Sequence, residues 1–304
     1  MKLDDYRISD NVGDKGQGGS GFGGGGGGGM GGGLGLIIGL VASRFGIGGV
    51  VVVLLGAWML GMFGGGGSGV VSPGQPGVSA SGGATNDSAQ ACARSPERRF
   101  SCQVLASTED TWGKIFQASG QRYQPAKFFF FTQGTQSGCG AAQSAMGPFY
   151  CPSDNSIYID TSFYGELQTK FGAAGDFAQA YVIAHEVGHH IQTLTGVSDK
   201  VRAIQARSSK TEGNRAQVAM ELQADCYAGV WAANNRERLE PGDVEEGLTA
   251  AQAIGDDTLQ RAGGGRVVPE SFTHGTSAQR MQWLRTGLQS GDPASCDTFG
   301  GTLA

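Results

Sequence analysis

Three of the chain's four histidines fall within one six-residue run, HEVGHH, at positions 185 to 190. His185 and His189 are four residues apart, so on a helix their rings lie one turn apart on the same face. That spacing lets two imidazoles reach one tetrahedral cation. Glu186, beside the first, can take a proton from a water that the cation makes acidic. Catalytic zinc usually takes three protein ligands and keeps one position open, so a third ligand is required. A histidine six residues past the second would be one source, but Thr195 stands there, and Gln192 stands where a companion glycine belongs. The stretch ELQAD offers a better one. Glu221 and Asp225 are again four apart, among Met220, Leu222, Ala224, Cys226 and Tyr227 rather than the charges of a solvated face. Glu221 is the expected third ligand, with Asp225 accepting the free N–H of His185 and so fixing its tautomer. His274, in FTHGTS, is either a donor to the oxygen on which charge develops or a structural or surface histidine. His190 points about 100° away from His189 and is expected beside the site or partly exposed.

These side chains need rigid carriers. Residues Asp176 to Leu194 read as one helix, with Asp176 as N-cap, Gly196 as terminator, and Ala180, Ile183, Val187, Ile191 and Leu194 on its core face. A second helix is expected from about Asn214 to Asn234. AQAIGDD lies on a third, opened by a capping box of Asp243 with Glu246 and ended by Asp256 and Asp257, whose carboxylates read either as a helix-end turn or as contacts to a substrate or cation. Upstream, Trp112, Ile115 and Phe116 behind polar Ser107 and Thr108 predict a helix, and KFFFFTQ predicts a strand. GPFYCPSDNSIYID reads as two more strands around a Pro-Ser-Asp-Asn turn. Of these, NSIYID is either an edge that adds an extended peptide by main-chain hydrogen bonds or an ordinary core strand. Strands ahead of helices make the fold α+β.

The 304 residues, 39% of them hydrophobic, suffice for one sizeable core, but many of the 55 glycines lie before residue 84 in runs that bury nothing. Packing is expected to begin near Ala89. Between the glycine runs, FGIGGVVVVLLGAWMLGMF (45–63) carries no charge and has the length of a bilayer-spanning helix. Lys2, Arg7, Lys15 and Arg44 precede it and no basic residue follows until Arg94, which predicts a cytoplasmic N-terminus and an exported body. The expected organisation is a cytoplasmic tail (1–33), a single-pass signal anchor in the inner membrane (34–63), a Gly/Ser/Pro-rich linker (64–88) and a periplasmic or otherwise extracytoplasmic domain (89–304). Six cysteines, none in a C-x-x-C pair, suit an oxidising compartment. Short separations favour Cys92 with Cys102 and Cys139 with Cys151, leaving Cys226 for Cys296. A net charge of −5, with no stripe of basic and aromatic residues, argues against nucleic acid as a partner.

HEVGHH, ELQADCYAGVW, AQAIGDDTLQ and SFTHGTSAQRMQWL, in that order, resemble the neutral zinc metallopeptidase family of bacteria, single-span zincin-like proteins. The resemblance covers most of residues 92 to 300 together with the charged N-terminus and apolar span. It implies a zincin-like metallopeptidase fold, a Zn²⁺ cofactor and a gluzincin-type site on His185, His189 and Glu221, with Glu186 as general base. In similar membrane zincins a His followed six residues on by an Arg recurs after the ligand helix. His274 and Arg280 match that spacing, although Gly275 replaces the usual proline. Two function classes follow: a membrane-anchored peptidase acting on peptide or unfolded-protein substrates, and an exported zinc-binding scaffold without peptidase activity.

Overall fold

In a computed structural model, residues 1–17, 88–170 and 172–300 are described. The KFFFFT run forms the central strand β2 (Lys127–Thr132), and its alternation sends neighbouring rings to opposite faces. Phe128 and Phe130 enter the helix-side core with their rings edge to face, while Phe131, with Phe129 beside it, packs with Tyr158 on the other face. β6 (Ser156–Asp160) runs parallel to β2, and β5 (Phe149–Cys151) pairs antiparallel with β6. β3 (Gly134–Ser137) and β4 (Gly140–Gln143) form a hairpin continuing from β2. The expected alternative of NSIYID as an edge fails: β6 lies between β2 and β5, and all five of its residues are buried.

The helices are α1 (Ser88–Cys92), α2 (Pro96–Ala118), α3 (Ser162–Thr169), α4 (Asp176–Leu194), α5 (Val197–Arg207), α6 (Lys210–Ala233), α7 (Asp243–Ala253), α8 (Asp256–Ala262) and α9 (Ser277–Ser290). The fold is therefore α+β, with the principal strands ahead of the principal helices. Ser107 and Thr108 do not start a helix: both are buried within α2 and donate back to the carbonyls of Val104 and Leu105. Asp176 is the first residue of α4 rather than its N-cap. That helix is capped from elsewhere, the Phe177 N–H donating to Glu246 of α7 at 3.1 Å. Gly175, at φ 115°, leaves no room for a side chain there, since a Cβ would lie 2.0 Å from the Glu246 carboxyl carbon. The capping box read at Asp243 and Glu246 is thus absent, Glu246 serving α4 and Gly242 preceding α7.

Packing does not begin at residue 89. β1 (Val12–Gln17) pairs in parallel with β2, Val12 opposite Phe128, and Leu3 and Val12 are each 1% exposed in the main core. Arg7 reaches Glu109 (3.0 Å) and Asp110 (2.6 Å) on α2, while Asp14 takes both Arg94 and Arg98. Residues 1–17 therefore lie on the same side of any membrane as the body, which overturns the expectation of a cytoplasmic tail on an exported domain. The stretch at 45–63 lies outside the described residues, and among the described residues no helix is long and apolar enough to cross a membrane. The expected transmembrane helix and single-pass inner-membrane placement therefore find no support among the described residues. Cys92–Cys102, Cys139–Cys151 and Cys226–Cys296 form the three expected disulfides, which suit an extracytoplasmic setting.

Candidate metal centre

Two helices carry the site. Ser209 caps α6, accepting from the Glu212 N–H while the Glu212 carboxylate returns to the Ser209 N–H, so α6 begins a turn earlier than expected. α6 lies against α4, close enough that a Cβ on Gly188 would meet the Ala224 backbone at 3.0 Å. That approach brings Glu221 opposite His185 and His189. Glu221 Oε2 lies 3.2 Å from His185 Nε2 and 3.5 Å from His189 Nε2, and the two rings stand nearly perpendicular, 4.7 Å apart. A tetrahedral zinc with bonds of about 2.0–2.1 Å holds its ligand atoms about 3.3 Å apart. The donor set and its spacing both fit that cation, and these three residues converge on one point.

Each donor is held from behind. His185 Nδ1 donates to Asp225 Oδ1 at 2.9 Å, leaving Nε2 for a cation. Asp225, fully buried, also accepts from Tyr181 Oη (2.6 Å), Arg280 Nη2 (2.9 Å) and Arg280 Nε (2.8 Å). Burial alone would raise its pKa, but the Arg280 guanidinium and the His185 ring hold it down at about 2. Arg280, 2% exposed, is thus the counter-charge of the residue that orients His185, a role its sequence spacing did not reveal. Glu221 Oε1 accepts from Gln217 Nε2 at 3.0 Å. Glu186 is 7% exposed on the ligand helix, and among the described residues its carboxylate has no hydrogen-bond or ion-pair partner.

His274 is brought near Glu221 by a loop tied to α8. Asp256 Oδ2 accepts the backbone N–H groups of Thr273, His274 and Gly275 at 2.6–3.0 Å, and Asp256 Oδ1 faces His274 Nδ1 at 3.3 Å. Asp257 Oδ1 accepts from the Ser277 N–H at 2.7 Å, fixing the start of α9. Asp256 and Asp257 therefore open α8 and hold the His274 loop rather than ending the preceding helix. Burial opposes the charge on His274, but the bond to Asp256 and the field of Glu221 outweigh it and raise its pKa. His190 belongs to neither expected place. It is 1% exposed, donates Nε2–H to the Gln124 carbonyl (2.6 Å), and has Nδ1 3.1 Å from Tyr150 Oη. Burial lowers its pKa.

An α+β body that brings two histidines of α4 together with a glutamate of α6 offers a candidate divalent-metal centre of the kind found in zinc hydrolases. The chain belongs to the family described as "Putative neutral zinc metallopeptidase", which it matches over residues 1–299. It is 56% identical over 207 residues to the uncharacterized protein YpfJ of Escherichia coli (strain K12), covering 67% of this chain and 72% of that one. It is 41% identical over 218 residues to the uncharacterized protein Rv2575 of Mycobacterium tuberculosis (strain H37Rv), covering 66% of this chain and 71% of that one. No solved structure matches it.

Proposed function

We propose that this protein is a zinc-dependent peptidase, with His185, His189 and Glu221 as the metal ligands and Glu186 as the general base. The observation that carries this reading is a Glu186 carboxylate without a protein partner among the described residues, open to solvent, on the helix whose two histidines converge with Glu221. A carboxylate kept free of partners in such a place is suited to moving a proton rather than to holding the fold. When bound, zinc supplies Lewis acidity, polarising a carbonyl and lowering the pKa of water to about 7.

The chain's residues supply the rest. Glu186 takes the proton of the attacking water on its carboxylate and passes it to the leaving nitrogen as the peptide bond breaks, ending unprotonated as it began. Asp256 Oδ1 faces His274 Nδ1 at 3.3 Å and favours the protonated ring, whose Nε2–H can then donate to the carbonyl oxygen as charge develops there. Asp225, neutralised by Arg280, holds His185 in the tautomer that presents Nε2. Peptides or unfolded proteins are the substrate class.

The test is metal content with matched activity. The purified full chain is expected to hold one zinc and to cleave an unfolded protein, and His189→Ala and Glu221→Ala are each expected to lose both. Full zinc occupancy in Glu221→Ala removes Glu221 from the ligand set. Full occupancy without cleavage of any unfolded protein or peptide library contradicts the peptidase reading.

A further inference from the structure

Gln192 has no charge, lies three residues past His189 and is fully buried. Its amide makes three hydrogen bonds, and their polarity is set from a distance. The far end is the backbone carbonyl of Cys296, which accepts from Gln223 Nε2 at 3.1 Å. A carbonyl oxygen can only accept, so Gln223 must turn its NH₂ that way and its Oε1 toward Gln192. Gln192 Nε2 then donates to Gln223 Oε1 at 3.1 Å and to the Met220 carbonyl at 2.7 Å, which uses both of its N–H groups. What remains is Gln192 Oε1, an acceptor, 2.9 Å from His189 Nδ1. His189 must therefore carry a proton on Nδ1, and in the neutral ring the Nε2 lone pair lies on the side of Glu221. Turning the Gln192 amide over would set its oxygen against two other oxygens with no proton between them, a cost of about 1–3 kcal/mol for each buried group left unsatisfied.

We propose that Gln192 and Gln223 form a directional amide relay, anchored on the Cys296 carbonyl, that fixes the tautomer and orientation of His189 for the metal. The relay rests on the metal-centre reading above and assigns positioning roles to two residues that touch neither metal nor substrate. It also makes the two ligand histidines unequal. His185 is backed by the Asp225 carboxylate, and His189 by a neutral amide that orients the ring without adding charge.

The relay is tested on the full chain by zinc affinity, from competition with a chelator, and by ¹⁵N NMR of the imidazoles in the metal-free protein. Gln192→Leu removes the acceptor. It is expected to weaken zinc binding by about 10–100-fold, the usual loss for a group that orients a ligand, and to abolish the preference for Nδ1–H at His189. Gln192→Glu keeps an acceptor on His189 but sets its second carboxylate oxygen against the Met220 carbonyl and Gln223 Oε1, so it is expected to keep the Nδ1–H tautomer while losing stability. Gln223→Leu, which never contacts His189, is expected to shift both readouts in the same direction as Gln192→Leu by a smaller amount, and it serves if Gln192→Leu does not fold. Parent-like affinity and an unchanged imidazole spectrum in the leucine variants would overturn the relay. Loss of the Nδ1–H preference in Gln192→Glu as well as in Gln192→Leu would also overturn it, marking Gln192 as a packing residue. Failure of the parent protein to bind zinc would instead remove the metal-centre reading and the relay with it.

Discussion

Replacing Arg280 with Met keeps much of the side-chain volume and removes the charge that balances Asp225. Both residues are essentially inaccessible, at 2% and 0% exposure, and Arg280 engages both carboxylate oxygens, through Nε at 2.8 Å and Nη2 at 2.9 Å. Removing one partner of such a pair leaves an uncompensated buried charge, which costs about 3–5 kcal/mol. At roughly 2–4 °C per kcal/mol for a domain of this size, Arg280→Met should lower Tm by about 6–20 °C. Because Asp225 orients His185, zinc affinity should fall as well. The double variant Arg280→Met/Asp225→Leu removes both charges together and should recover part of the stability, the remainder being lost because Tyr181 Oη and His185 Nδ1 no longer have their shared acceptor. It should not recover the zinc affinity, because His185 still lacks its acceptor. The assay is denaturant unfolding of all four corners of the cycle, with zinc competition on each. A loss below about 1 kcal/mol in Arg280→Met would refute the reasoning, as would a double variant no more stable than that single one.

Four further outcomes are expected. Burial alone would raise the pKa values of Asp14 and Asp110, but Arg98 holds the first below the ordinary carboxylate range and Arg7 the second. Their contribution is therefore present above about pH 4 and lost as pH falls through the lower folded values. Limited proteolysis should find residues 1–17 protected at neutral pH and progressively more cleaved as pH falls below about 4, and protection that does not change with pH until the body itself unfolds would contradict those ion pairs. Gly229→Ala places a methyl 2.2 Å from the Leu284 carbonyl oxygen where α6 meets α9, and should cost at least about 1–3 kcal/mol by denaturant midpoint. Gly113→Ala, in open space on α2, should instead stabilise by about 0.5–1 kcal/mol. Asp256→Asn should leave zinc content unchanged and lower kcat by an amount approaching the ~10²–10³ of a lost oxyanion donor, and an unchanged kcat would remove His274 from the reaction.

The metal centre was legible because helical spacing alone brings His185 onto the face of His189, and Glu221 onto that of Asp225. Cysteine separation was equally informative, since Cys92 and Cys102, or Cys139 and Cys151, have little choice of partner so close in the chain. Gln192 carried no such signal: an amide becomes a positioning group only through carbonyls supplied by Met220 and Cys296, which no local pattern encodes. Arg280 could be matched by spacing but not given a role, because its partner lies 55 residues away. The first seventeen residues were misread for a related reason. Their local pattern is polar, and Val12–Gln17 becomes strand only by pairing with β2 across more than a hundred residues. Ser107 and Thr108 look like a helix start because their hydroxyls usually cap one, yet in α2 they satisfy themselves on their own helix and sit in the core.

The central claim turns most directly on Glu186→Gln, which preserves size, touches none of the three converging donors and removes only the base. Zinc content, Tm and cleavage of an unfolded protein are measured side by side on this variant and its parent. The account expects zinc and Tm to match the parent while cleavage falls by at least about 10²–10⁴, the contribution of a positioned general base. Parent-level cleavage in Glu186→Gln, with zinc still bound, would contradict it.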